Sequence, residues 1–255
     1  AAKWFEAYGA INELMETLAS LVSDNLALLR PADALGASDR SWILAPRVTD
    51  PNQRLNLDLD RVDVFLALGR QREAAALLGG LPDDAAESNA FVARRLHVLR
   101  ARLALAQGRD AVAATEARRA LGLRAPVDDN GEGVAESALS EQLATLAMAP
   151  RTAEPPAQRW VPLQVPSIYP VQALLKAEWA DARSDDAQAA QRFHEALDLA
   201  EQRGVPADVA LVSAAYGPWL LRRGRLKEAG DVIGRVAPWA ARDYDCCLLQ
   251  VRVFH

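Results

Sequence analysis

The side chains able to do chemistry in this sequence are few and scattered. The three histidines, His97, His194 and His255, stand too far apart to read as one metal site. Cys246 and Cys247, the only two cysteines, are adjacent. Neighbouring cysteines rarely close a strain-free disulfide, and a four-ligand metal site needs a second pair. They read as buried or half-buried thiols in a reducing compartment. His97, between Leu96 and Val98 in a helical stretch, is expected in a packed interior. Asp58, Asp60 and Asp63 are expected at a helix start, where carboxylates favour the positive end of the dipole. Asp128-Asp129-Asn130-Gly131-Glu132 has the composition of a calcium loop without its spaced ligands. No phosphate loop, dinucleotide fingerprint, nucleophile elbow or zinc-protease motif occurs. No catalytic residue, metal ligand or cofactor is assigned, and the expected chemistry is recognition.

The elements that must position these side chains are helical. Of 255 residues, 51 are Ala and 36 are Leu, against four Ile and 6% aromatics. Strong helix formers dominate and strand formers are scarce, which predicts an all-α fold. A net charge of −5 offers no electrostatic footprint for nucleic acid. No apolar run approaches the roughly 18 residues of a membrane span. The chain opens on Ala1-Ala2-Lys3 rather than Met, so preceding sequence is expected.

Four segments repeat a frame: Gly69-Arg-Gln-Arg-Glu-Ala74, Gly108-Arg-Asp-Ala-Val-Ala113, Ser184-Asp-Asp-Ala-Gln-Ala189 and Gly224-Arg-Leu-Lys-Glu-Ala229. Gly69 and Gly108 are 39 apart, and Ser184 and Gly224 are 40 apart. Each frame lies between two Ala/Leu-rich stretches, so the Gly marks the turn of a helical hairpin, where a left-handed residue costs least. Small or apolar residues recur seven and four positions before the turn and five, nine and twelve after it. They are Val62, Phe65, Ala74, Leu78 and Leu81, then Ala101, Ala104, Ala113, Ala117 and Ala120. The later sets are Ala177, Ala180, Ala189, Phe193 and Ala196, then Gly217, Leu220, Ala229, Ile233 and Val236. Close helix crossings need such residues.

This pattern resembles the tetratricopeptide repeat, with a longer period than that family's roughly 34 residues. Elongated repeats of this kind occur in sensor and interaction regions of bacterial signalling proteins, LuxR-type regulators among them. The resemblance implies an α-solenoid of antiparallel hairpins, with repeats over 55–121 and 171–240. Two lobes would be joined by 122–170, a helix followed by a Pro-rich extended segment. Residues 1–30 read as a long helix, because Trp4, Tyr8, Ile11, Met15, Leu18, Val22 and Leu29 follow heptad spacing. That helix can cap the array or form a signalling coiled coil, and so a homodimer. Residues 31–54, with Pro31, Pro46 and Pro51, read as a loop region. Residues 241–255 read as the first helix of a further repeat, cut before its partner, whose apolar end can also pair with a second chain.

In the family, peptide-contacting positions lie thirteen, ten, six and three before the turn Gly, on the concave face. Carried over, they give Asn56 and Asp63 opposite Arg95 and Arg102 in the first pair of repeats. In the second pair they give an apolar surface edged by Glu178 and Asp181. The function expected from the resemblance is a protein–protein interaction scaffold or regulatory domain of a larger bacterial protein. It would be cytoplasmic, or periplasmic behind an upstream membrane segment, and would bind a protein or peptide. The competing expectations are a ligand-sensing domain with its pocket at the 122–170 junction, near Trp160 and Tyr169, and a structural dimerisation module.

Overall fold

The computed structural model describes residues 9–81, 89–122 and 169–254, together with Lys3, Phe5 and Glu6. All regular structure among them is helical. The helices are α1 (Ile11–Ala27), α2 (Pro31–Leu44), α3 (Pro51–Ala67), α4 (Gln71–Gly79), α5 (Ala90–Ala106) and α6 (Asp110–Gly122). They continue as α7 (Pro170–Ala182), α8 (Asp186–Arg203), α9 (Pro206–Arg222), α10 (Leu226–Gly234) and α11 (Tyr244–Phe254). Short 3-10 turns at Ala45–Arg47 and Ala237–Trp239 complete the path.

One local device recurs. The residues joining α1 to α2, α3 to α4, α5 to α6, α7 to α8 and α9 to α10 are left-handed: Leu29 (φ 54°), Gly69 (70°), Gly108 (67°), Ser184 (60°) and Gly224 (71°). At Gly69 the N–H donates to the Leu66 carbonyl at 2.9 Å, and the Arg70 N–H reaches back to Phe65 at 2.8 Å. The same two bonds recur at the other four turns. This is the Schellman arrangement, which satisfies carbonyls that a helix end leaves unpaired.

The first of these turns corrects the expectation for the N-terminal region. Residues 31–54 are not a loop: α2 fills most of the stretch, and Pro31 opens it at the first helical position, where a missing N–H costs nothing. The heptad positions Met15, Leu18 and Val22 are buried within the chain, where α1 packs on α2 and α3. They cannot also form a seam with a second copy. Leu29 precedes Gly69 by 40 residues, so this hairpin continues the same spacing.

The twenty repeat positions are all buried except Leu81, which is half-buried. At Gly217 small size is a geometric demand. A Cβ on Gly217 in α9 would lie 2.4 Å from Cγ1 of Ile233 in α10. In the α7–α10 core, Phe193 stacks on Tyr216 with ring centroids 5.0 Å apart and tilts against Trp219 at 5.2 Å. The two helix sets also touch. Leu29, at the first turn, is buried with Ile233, Val236, Cys246 and Leu249, and α1 contacts α9. Residues 123–168, which carry most of the expected Pro-rich segment, lie outside the described residues.

Candidate binding groove

α3 and α5 lie side by side and bring three of the expected site residues together. Arg95 donates through Nη2 to Asp60 Oδ1 at 2.6 Å and to Asp63 Oδ2 at 3.0 Å. Arg102 donates through Nη1 to Asp63 Oδ1 at 2.5 Å. Asp60 was not among the expected site residues, yet it is the buried member of the cluster. Burial raises its pKa, and the Arg95 charge opposes that shift. Burial pulls the Arg95 pKa down, but the Asp63 and Asp60 carboxylates override it and hold the guanidinium charged. The acidic trio is not at a helix start: α3 begins at Pro51, and Asp50 caps it by accepting the Asn52 N–H at 2.9 Å. The signal for Asp60 was its three-residue spacing from Asp63, which puts both carboxylates on one helix face.

Asp60 and Arg95 of this cluster line a groove of about 800 Å³ between α1, α3 and α5. Glu16, Ser23 and Asp24 line it from α1, Asn56 and Asp60 from α3, and Phe91 and Arg95 from α5. Glu16, Asn56 and Arg95 each precede their hairpin's turn residue by thirteen positions, so the hairpins present equivalent side chains in a row. The Oδ1 of Asn56 is buried without a hydrogen-bond partner among the described residues, an acceptor awaiting a donor. Glu16 escaped notice in the sequence because its hairpin turns on Leu29 instead of Gly.

The second expected surface is arranged differently. Val171, Leu174 and Glu178 are buried. Asp181 accepts from Arg223 at 2.6 Å, with Arg222 at 3.6 Å. Arg223 also binds Asp186 and lies 4.1 Å over the Trp219 ring. Glu178 and Asp181 are therefore part of how α7 meets its neighbours, not an open acidic edge. Tyr169 stands at the start of α7, where its N–H donates to the Gln172 side chain at 3.3 Å and Arg203 lies 5.1 Å over its ring. Trp160 lies outside the described residues. The cavity where the two helix sets meet is lined from α1, α3, α5, α9 and α11, and Tyr169 is not among its lining residues.

The remaining reactive groups are committed or unassisted. His97 Nδ1 lies 2.7 Å from the buried Glu116 carboxylate, which also accepts from Arg119 at 2.9 Å. Cys246 is buried, and burial together with the Asp243 charge pushes its thiol pKa up, whereas Cys247 is exposed. Among the described residues no group of three or more His, Cys, Asp or Glu could hold a metal ion, and no helix is long and apolar enough to cross a membrane. Compared with known families, with curated proteins and with solved structures, the chain finds no match.

Proposed function

We propose that this chain is a tetratricopeptide-like helical-repeat region, an α-solenoid that recognises a protein or peptide partner along the face formed by α1, α3 and α5. Its place would be in a larger, cytoplasmic bacterial signalling or regulatory protein. The observation that carries the reading is the row of Glu16, Asn56 and Arg95, set at one repeat position in three successive hairpins and opening on a common groove. A row of polar groups at a spacing fixed by stacked helices suits an extended segment, whose backbone offers donors and acceptors at regular intervals. The five equivalent turns support the repeat reading. The two free cysteines fit a reducing compartment.

The test is partner capture with the groove blocked. Ser23→Trp and Glu16→Arg alter exposed groove positions, and Thr115→Arg places the same charge on the exposed face of α6. Partner binding should fall at least roughly tenfold with the first two and stay unchanged with the third. Equal binding by all three, with helicity intact, would sink the reading.

A further inference from the structure

We propose that the cavity where α1, α3 and α5 meet α9 and α11 is a second, separate site, which binds a small organic ammonium ion carrying an apolar body. Small side chains leave the space: Ala67, Ala210 and Ala214 line a cavity of about 460 Å³, with Leu211 and Leu249 adding apolar wall. That volume lies within the roughly 300–1,000 Å³ typical of small-ligand sites.

The polar part of the wall sets the sign of the ligand. Asp243 and Asp245 both line the cavity, and Asp243 is only 5% exposed. Asp243 spends Oδ1 on the Cys246 N–H at 2.9 Å, which caps α11. Neither carboxylate has an ion-pair partner among the described residues. The other two carboxylates of the wall are taken, Asp63 by Arg95 and Arg102, and Asp208 by Arg203 at 2.8 Å. Arg102 and Arg252 also line the wall but act on Asp245 only from beyond ion-pair distance. The two carboxylates repel each other, and Asp243, unlike the exposed Asp245, is also poorly solvated beside the apolar wall. A cationic head between them relieves both costs, while the apolar body covers the alanine and leucine surface. An anion would meet the same two carboxylates and find only Arg252 to pair with, Arg102 being already committed to Asp63. Because the walls come from both helix sets, a bound cation bridges residues 9–122 and 169–254 and stabilises their docked arrangement.

Octylammonium, octanol and octanoate share one chain length and differ in head group. Each is titrated by calorimetry into the full chain and into Asp245→Asn. Octylammonium should bind about tenfold more tightly than the other two and lose about fivefold in Asp245→Asn. Ala214→Leu, which narrows the cavity, should weaken all three probes together; it keeps the test in hand if Asp245→Asn does not fold. Equal binding of octanol or octanoate overturns the proposal. So does full affinity in a folded Asp245→Asn or in Ala214→Leu, or no binding of any probe.

Discussion

A Cβ on Gly69 would lie 2.6 Å from Cδ2 of Tyr244, so the turn between α3 and α4 touches the first residue of α11 only because residue 69 has no side chain. Gly69 thus meets two demands at once: a left-handed φ of 70° and a close approach between distant parts of the chain. Gly69→Ala should cost more than the roughly 1–2 kcal/mol of left-handed strain alone. Adding Tyr244→Ala should recover the excess and leave the strain. Urea unfolding of both single variants and the double variant gives the coupling directly. Additivity would show that the contact carries no weight.

Leu29 and Ser184 pose the complementary question, since each is a non-glycine residue in a glycine conformation. Ser184 is exposed, so Ser184→Gly removes strain and loses little contact. It should stabilise by about 1 kcal/mol, seen as a rise in Tm of several degrees. Leu29 is 7% exposed and buried with Cys246 and Leu249. Leu29→Gly gains the same relief but forfeits about 1.5–3 kcal/mol of side-chain burial, so it should destabilise on balance.

Phe193 anchors the aromatic stack of the α7–α10 core at 2% exposure. Phe193→Ala should lose about 3–5 kcal/mol, as a large buried ring leaves a cavity that surrounding helices fill only partly. Thermal unfolding followed by tryptophan fluorescence is a suitable readout, because Trp219 packs on the same ring.

The buried carboxyl of Asp60 gives a pH signature. Burial lifts its folded pKa above the ordinary 3.8, despite Arg95. A carboxyl with a raised folded pKa binds its proton more tightly in the folded chain. Its contribution to stability is fully present below the unfolded pKa and is lost as pH rises through the folded one. The unfolding free energy of the parent minus that of Asp60→Asn should therefore fall between about pH 3 and neutrality. A difference that climbs instead would mean that pairing with Arg95 outweighs burial.

The buried Cys246 thiol, with its pKa pushed up, should resist modification while the exposed Cys247 reacts. A thiol titration of native protein should count one fast group and release the second on unfolding. Two fast groups would place Cys246 in a loosely packed end.

What could be read from the residues alone follows local rules. Gly69, Gly108 and Gly224 punctuate Ala/Leu-rich stretches, the first two 39 residues apart and the last 40 beyond Ser184, and chain sterics favour glycine at left-handed turns; the hairpins there were legible. The first hairpin was hidden by exceptions to those rules. Leu29 stands where glycine is expected, Ser38 and Ser41 take apolar repeat positions, and Pro31 reads as a breaker although it starts a helix.

The site divides along the same line. The positions carried over from the repeat resemblance brought Asn56, Asp63, Arg95 and Arg102 into consideration, and a seven-residue spacing puts each pair on one face of its helix. Whether those side chains stay available depends on what packs beside them, and spacing carries no information about that. Tertiary packing turned Asp181 towards Arg223, buried Glu178, drew Asp60 under Arg95, and set α11 against the turn at Gly69. Composition and periodicity determined the helices and their turns, since those depend on neighbours a few residues away. Which charges face solvent, which are paired, and where the junction cavity opens depends on contacts 30 to 40 residues distant and more. Only the folded arrangement decides them.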